Sequence, residues 1–343
     1  MNDVAQGRNL SRLLLIAAFA AVMLGVSPFI GMEPIGPGIL LKGGDPVRET
    51  IFWKIRVPRV LAGFLAGSSL ALSGLAFQAV FRNPLATPFT LGVSGGAAFG
   101  ATLYLQAGMV ASMAGLPGRS ISAFLGALLS IALVYGLTRV RKGYSTATML
   151  IAGVAINFFF SSMILFMQYV SDFTQTFRIV RWLMGGVETV QSASLAVMAL
   201  FALTGSVVLL CMVHELNLLT MGDDIAAGRG VDVRRSRKTV FMAASLLVGG
   251  VVSVCGPIAF VGMMAPHICR LITGDDHRIL APASFLFGGG FLVLCDAAAR
   301  MIIAPAEVPV GVITALLGGP FFLWLLVRGA SEKSILHGKD RVG

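Results

Sequence analysis

The 343-residue chain has little charge: Asp, Glu, Lys and Arg together make up 12% of it, against roughly 25% in an ordinary soluble domain. So few ionisable groups cannot keep a chain with a mean hydropathy of +0.86 in water as a globule. Cysteine is scarce, four residues and never as Cys-x-x-Cys. Cys211, Cys255, Cys269 and Cys295 fall in or at the ends of apolar runs, which points to small buried hydrophobes rather than to a disulfide or metal framework. His214-Glu215 lacks the second histidine of a His-Glu-x-x-His helix, so a zinc-dependent intramembrane enzyme has no ligand set here. There is no Gly-x-x-x-x-Gly-Lys-Ser/Thr loop. Without that cradle of backbone N–H groups and its lysine, the chain is not expected to hydrolyse nucleotide. Ionisable groups inside the apolar runs are nearly missing too. Asp296 is the clearest, and Asn157 is a polar residue deep in the fifth run. Each such charge costs roughly 2.5–3.5 kcal/mol at mid-bilayer on insertion scales, and ion-coupled carriers need them to load their ion. A secondary transporter working alone is therefore the weaker reading.

What the sequence does have is hydrophobic length. About 20 apolar residues suffice to cross a bilayer, and runs of that order recur at about 10–31, 58–81, 90–107, 119–138, 146–170, 192–213, 239–257, 258–273, 279–303 and 309–328. The seventh and eighth are split only at Cys255-Gly256-Pro257, so the count is nine or ten. The expected fold is an all-α membrane protein, a polytopic bundle of about ten transmembrane helices forming one membrane domain over residues 1–343. Ala18-Phe19-Ala20 lies inside the first apolar run rather than after it, which argues for a span and against a cleaved leader.

With the N-terminus placed inside, 17 of the 26 Lys and Arg fall on the inner side, among them Arg8, Arg12, Arg82, Arg139, Arg141, Lys142, Arg229, Arg234, Arg235, Arg237, Lys238, Arg328, Lys333, Lys339 and Arg341. The positive-inside rule then puts both termini in the cytoplasm. It also accounts for the net charge of +10 better than nucleic-acid binding does.

Small residues recur at helical spacing: Gly63/Gly67/Ala71, Gly92/Gly96/Gly100 and Gly311/Ala315/Gly319. Such stripes let helices approach closely in lipid, and a substrate-conducting surface is the other use for them. Pro58, Pro84, Pro88, Pro257, Pro266, Pro305 and Pro309 are expected to mark breaks at or near span ends, and irregular backbone at membrane depth lines cavities. Phe158-Phe159-Phe160 reads as lipid-facing or core, and His267 as a locally hydrogen-bonded group.

One polar island stands out, Gly222-Asp223-Asp224-Ile225-Ala226-Ala227-Gly228-Arg229-Gly230, within a segment at about 214–238 that fits no span. It combines small residues, which admit another backbone, with paired acids and a following basic run. A partner on the cytoplasmic side is expected to dock there.

Several motifs then resemble one family. Arg56-Val57-Pro58-Arg59-Val60-Leu61-Ala62-Gly63, Gln78 to Pro88, Leu91-Gly92-Val93-Ser94-Gly95-Gly96-Ala97, Pro266-His267-Ile268-Cys269-Arg270, Asp296-Ala297-Ala298-Ala299-Arg300 and Glu307-Val308-Pro309-Val310-Gly311 are similar to the signatures of type II ABC importer permeases. Those permeases carry iron–siderophore complexes, vitamin B12 and haem. The resemblance spans nearly the whole chain. It implies ten spans and the type II ABC importer permease fold, a second permease copy (a homodimer, or a pairing with a paralogue) and a path at the dimer interface. It also implies two ATPase subunits that carry ATP and Mg, and a periplasmic or lipid-anchored substrate-binding protein, in the cytoplasmic membrane of a bacterium or archaeon. No cofactor or metal is implied on this chain itself.

On that resemblance Gly222 to Gly230 is the ATPase-coupling element. Arg56, Arg59 and Arg300, at outer span ends, are expected to dock the binding protein, with Asp296 orienting Arg300 through an i,i+4 pair. Asn157 and Asp296 are possible pathway or structural polar groups. An iron–siderophore complex is the first expectation for the cargo, with a corrinoid or haem as the alternatives. A permease for bare zinc or manganese ions is a cousin that the Arg56–Arg59 and Asn83–Pro88 signatures disfavour.

Overall fold

A computed structural model describes residues 2–40, 45–109, 112–113, 115–140, 146–188 and 190–339. Arg141, Lys142 and Arg341, three of the cations used above for orientation, lie outside the described residues. Each of the ten apolar runs is a helix: α1 (Asn2–Val26), α2 (Val57–Phe81), α3 (Val93–Gln106), α4 (Gly118–Val140), α5 (Thr146–Val170), α6 (Ser192–Cys211), α7 (Val233–Cys255), α8 (Val261–Thr273), α9 (His277–Met301) and α10 (Val310–Lys339). By length and composition seven of them, all but α3, α8 and α10, can cross a membrane. With 14 and 13 residues, α3 and α8 are only about 20 Å long. Each is preceded by irregular backbone, and its last stretch, 86–92 before α3 and 256–260 before α8, is covered by protein, as the bilayer requires. A two-stranded ribbon pairs Ser112–Met113 with Leu116–Pro117 between α3 and α4.

The centre of the bundle is α2, flanked by α7 and α9, while α1, α5 and α6 turn most of their surface outward. Phe158 and Phe159 are exposed and Phe160 is buried, so that run serves both of its expected purposes. The small-residue stripes explain the close packing. A Cβ on Gly67 would lie 2.2 Å from the Gly288 carbonyl oxygen of α9, and one on Gly96 would lie 2.4 Å from the Gly126 carbonyl oxygen of α4. The third stripe is only partly used. Gly311 packs on the Met184 carbonyl, whereas Ala315 is exposed and a Cβ on Gly319 would meet nothing within 4 Å among the described residues.

Two of the prolines do not end helices. Pro58 sits in the first turn of α2, directly after a π turn at Ile51–Arg56 that continues the helix Pro46–Thr50. The wider π spacing accommodates a residue without an N–H. Pro266 lies inside α8 and deprives the Gly262 carbonyl of its helical donor. Gln78 of α2 reaches that carbonyl through Nε2 at 3.5 Å. Gly74, where a Cβ would fall 1.7 Å from the same oxygen, leaves the room for it. A proline, a glycine and an amide on two helices thus solve one hydrogen-bonding problem together.

Two further helices lie outside the ten runs. Phe173–Leu183 is strongly amphipathic and follows α5, capped by the Asp172 carboxylate on the Gln175 N–H at 2.7 Å. Val213–Met221 follows α6 and leads into the polar island.

Candidate functional site

The polar island folds as the short helix Asp223–Gly228, entered through Gly222 at φ +128°. That backbone conformation is one a side chain would strain. The helix is pinned at its first residue. The Asp223 carboxylate accepts from Arg82, at 3.3 Å, and from Arg237. Arg82 is itself the left-handed residue that closes α2 (φ 48°), and Arg237 is buried in the first turns of α7. The methyl of Ala226 points inward. Asp224, Ile225, Ala227, Gly228, Arg229 and Gly230 are exposed, and Met221 stands out beside them at 60% exposure. A Cβ on Gly228 would meet nothing within 4 Å. The result is a small, partly apolar knob held on a charged hinge.

Behind the knob, Asn217 donates to Asp276 at 2.7 Å and accepts the His277 N–H at 2.9 Å. Partial burial works to raise the Asp276 pKa, but donors from Arg278 and Asn217 outweigh it and hold the carboxyl below its ordinary value.

At the other end of α2 the three arginines expected to face a partner are turned inward. Arg56, Arg59 and Arg300 are 7%, 8% and 4% exposed. Arg59 grips Asp296 with Nε and Nη2, at 3.1 and 2.9 Å, and Glu307 with Nη1 at 2.7 Å. Arg300 pairs with Asp296 at 3.3 Å, in the i,i+4 arrangement expected from the sequence, and donates to Ser27 Oγ and the Ile30 carbonyl. Arg56 donates to the carbonyls of Pro28 and Glu33, and a Cβ on Gly31 would press on its guanidinium at 2.6 Å. The physical reason is plain: a buried guanidinium must be paired, and the loop after α1 with two acids from the α9 and α10 ends supplies every partner. A cavity of about 420 Å³ opens among these arginines, Glu33 and Glu307.

Glu307 is the residue to which the sequence gave no role, although it heads the Glu307–Gly311 motif; its partner lies 248 positions away. Asn157 is half-buried on α5, its Oδ1 against Gly95 of α3, where a Cβ would sit at 2.4 Å.

Between the two ends the chain breaks at Gly256–Phe260, joining α7 to α8. Phe260 adopts the left-handed conformation (φ 67°), a strained one for a bulky residue. Its ring fills the space left by Gly318 of α10, where a Cβ would lie 2.1 Å away. Two cavities of about 400 and 530 Å³ meet at Phe89 and Ala259, and no charged side chain lines either. His267 meets the Phe321 ring edge-on at 5.9 Å instead of making a local cap. Among the described residues no three His, Cys, Asp or Glu side chains gather as a metal-binding group.

Residues 13–328 match the model of the FecCD transport family. The hemin transport system permease of Yersinia pestis is 38% identical over 83% of this chain and 85% of its own length. The vitamin B12 import system permease of Salmonella arizonae is 37% identical over 95% of this chain and 96% of its own. Among solved structures, an inward-facing metal-chelate type ABC transporter superposes with a TM-score of 0.83 at 31% identity, covering 92% of this chain and 98% of that one.

Proposed function

The chain belongs to the FecCD transport family, whose members are ABC importer permeases for metal chelates, vitamin B12 and haem, and we propose that within it this protein carries an iron–siderophore complex. The protein is an integral membrane permease and not a catalyst. In this reading it lies in the cytoplasmic membrane with both termini inside. Two copies meet over α10, two ATPase subunits binding ATP and Mg sit below, and a periplasmic or lipid-anchored binding protein sits above.

The observation that carries the reading is the knob at Asp223–Gly228. It exposes Ile225, Ala227 and Gly228 while Asp223 ties its base to α2 and α7. An ATPase that closes on ATP would push on this knob, and the Asp223 hinge would pass the displacement to both helices. The half-empty Gly311/Ala315/Gly319 stripe supports the second copy, since such a stripe is where another helix approaches closely. The uncharged groove at Phe89, Ala259 and Gly311 supports a large chelate over a bare ion, because an unchelated cation would find no carboxylate or imidazole there. The binding protein would dock over the cavity between Arg59 and Glu33, its carboxylates competing with Glu307, the more accessible acid of the cluster.

The test is ATP-driven uptake into proteoliposomes holding the assembled complex. Gly228→Trp should abolish uptake and leave insertion and thermal stability unchanged, because the position is exposed and a Cβ there meets nothing within 4 Å among the described residues. Full uptake by that variant would sink the coupling assignment. Offering a ferric siderophore, haem and cyanocobalamin side by side reads the cargo, and uptake of either of the last two alone would replace the siderophore reading.

A further inference from the structure

We propose that the groove between α4, α6 and α7, at the end of the bundle that carries Asp223, is a binding site for an anionic phospholipid, with the headgroup phosphate on Arg235 and Lys238 and one acyl chain lying along the groove. The inference needs only that the protein is embedded in a membrane, and it stands or falls apart from ATPase coupling and cargo.

The groove is a cavity of about 540 Å³. Its floor is Ile131 and Met242, its sides Leu128, Val208 and Leu246. Leu128 and Val208 are 41% and 37% exposed on helices whose outer surface faces hydrocarbon. Only one end is charged. Arg235, Lys238, Met242 and Leu246 follow one another at three- and four-residue steps, so a single face of α7 passes from two cations to hydrocarbon within three turns. That order, charge then chain, is the order of a phospholipid.

The cations at the lip are available. Both are exposed, and among the described residues neither is tied to an acid. The Lys238 ammonium lies 5.7 Å from the Tyr135 ring of α4, which holds it across the groove mouth. Arg237, between them in sequence, points the other way and is committed to Asp223. The acid nearest in sequence, Asp232, is turned to the backbone and caps α7 on the Arg235 N–H at 3.0 Å. A zwitterionic lipid brings no net charge to such a lip, whereas an anionic headgroup is drawn to juxtamembrane Lys and Arg.

The experiment is native mass spectrometry of the full-length protein in detergent, titrated with palmitoyl-oleoyl phosphatidylglycerol or the matching phosphatidylcholine. The phosphatidylglycerol adduct should persist at roughly thirtyfold lower lipid concentration, in line with two cations at the membrane surface. Arg235→Gln with Lys238→Gln should bring the two lipids level, while Arg12→Gln with Arg48→Gln, an equal change of charge away from the groove, should leave the preference intact. Ala243→Phe, which fills the groove with both cations in place, should also remove the adduct. Glycerol 1-phosphate, a headgroup without chains, should not displace it. Equal retention of the two lipids by the unmodified protein would overturn the site. So would an undiminished preference in the double variant or, if that variant does not fold, in Ala243→Phe. Displacement by glycerol 1-phosphate would overturn the acyl-chain half of the proposal.

Discussion

The two ends of α2 hold their charges in opposite ways. At the Arg59 end, Asp296 serves two deeply buried guanidinium groups through several bonds, Glu307 adds one to Arg59, and loop carbonyls take further donors. At the Arg82 end a single half-exposed carboxylate, Asp223, is shared by two arginines. The first arrangement sits in a low dielectric, where an unpaired charge is expensive, and so it is rigid. The second lies at the surface, with Arg237 buried beneath Asp223 and Arg82 exposed beside it, so the Arg82 bond is in water, weak and readily remade. One end is a clamp and the other a joint, and the difference follows from burial rather than from residue type.

The comparison is broken most directly at Asp296. Asp296→Ala would strand two buried guanidinium groups and should cost about 3–5 kcal/mol, read as a fall in thermal unfolding temperature in detergent. A loss below about 1 kcal/mol would mean that water reaches the cluster and that the two ends of α2 do not differ in this way. Next in size is Asp276, which caps α9 and receives Asn217. Asp276→Ala should cost roughly 1 kcal/mol. Acid should do the same to the unmodified protein. Because the folded-state pKa is lowered, the stabilisation is present above the ordinary value of 3.8 and disappears as the pH falls through the lower folded value. A stability profile flat across that acid range, or one that still falls there in Asp276→Ala by the same amount, would remove Asp276 as its cause. Asp223→Asn should be smallest in stability, below about 1 kcal/mol and fading with added salt. It should still lower the ATP-to-transport coupling ratio, since the knob loses its hinge. A variant that loses several kcal/mol instead would show that the joint is as buried as the clamp.

The sequence made the helices legible and the clamp illegible. All ten runs and two of the three glycine stripes are where periodicity put them, because span length and small-residue spacing are local properties. The exposed helix Asp223–Gly228 was legible as a polar island that no span could absorb. Arg56, Arg59 and Arg300 were legible as unusual residues, but their direction was not. Apart from the i,i+4 pair of Arg300 with Asp296, which spacing did report, each finds its partners on segments more than 20 positions away, where no spacing rule reaches. Pro266 misled for the same reason. A proline reads as a break until Gln78, on another helix, is seen to satisfy the carbonyl it frees. The amphipathic helix Phe173–Leu183 was hidden because its polar face diluted any apolar run.

The 25 residues of α2 make a rod about 37 Å long, enclosed by neighbours along most of its length. Its flanks are locked to α9 at Gly67 and to α8 at Gly74 and Gln78, so it has nowhere to buckle. A rod that cannot buckle transmits thrust. Force applied to the island at Asp223 would reach Arg59 as axial movement, and the tightly laced cluster there would act as a latch that resists until the thrust exceeds its hold. In such a machine the latch sets the trigger threshold, and Glu307, the looser of its two catches, is where that threshold would be tuned.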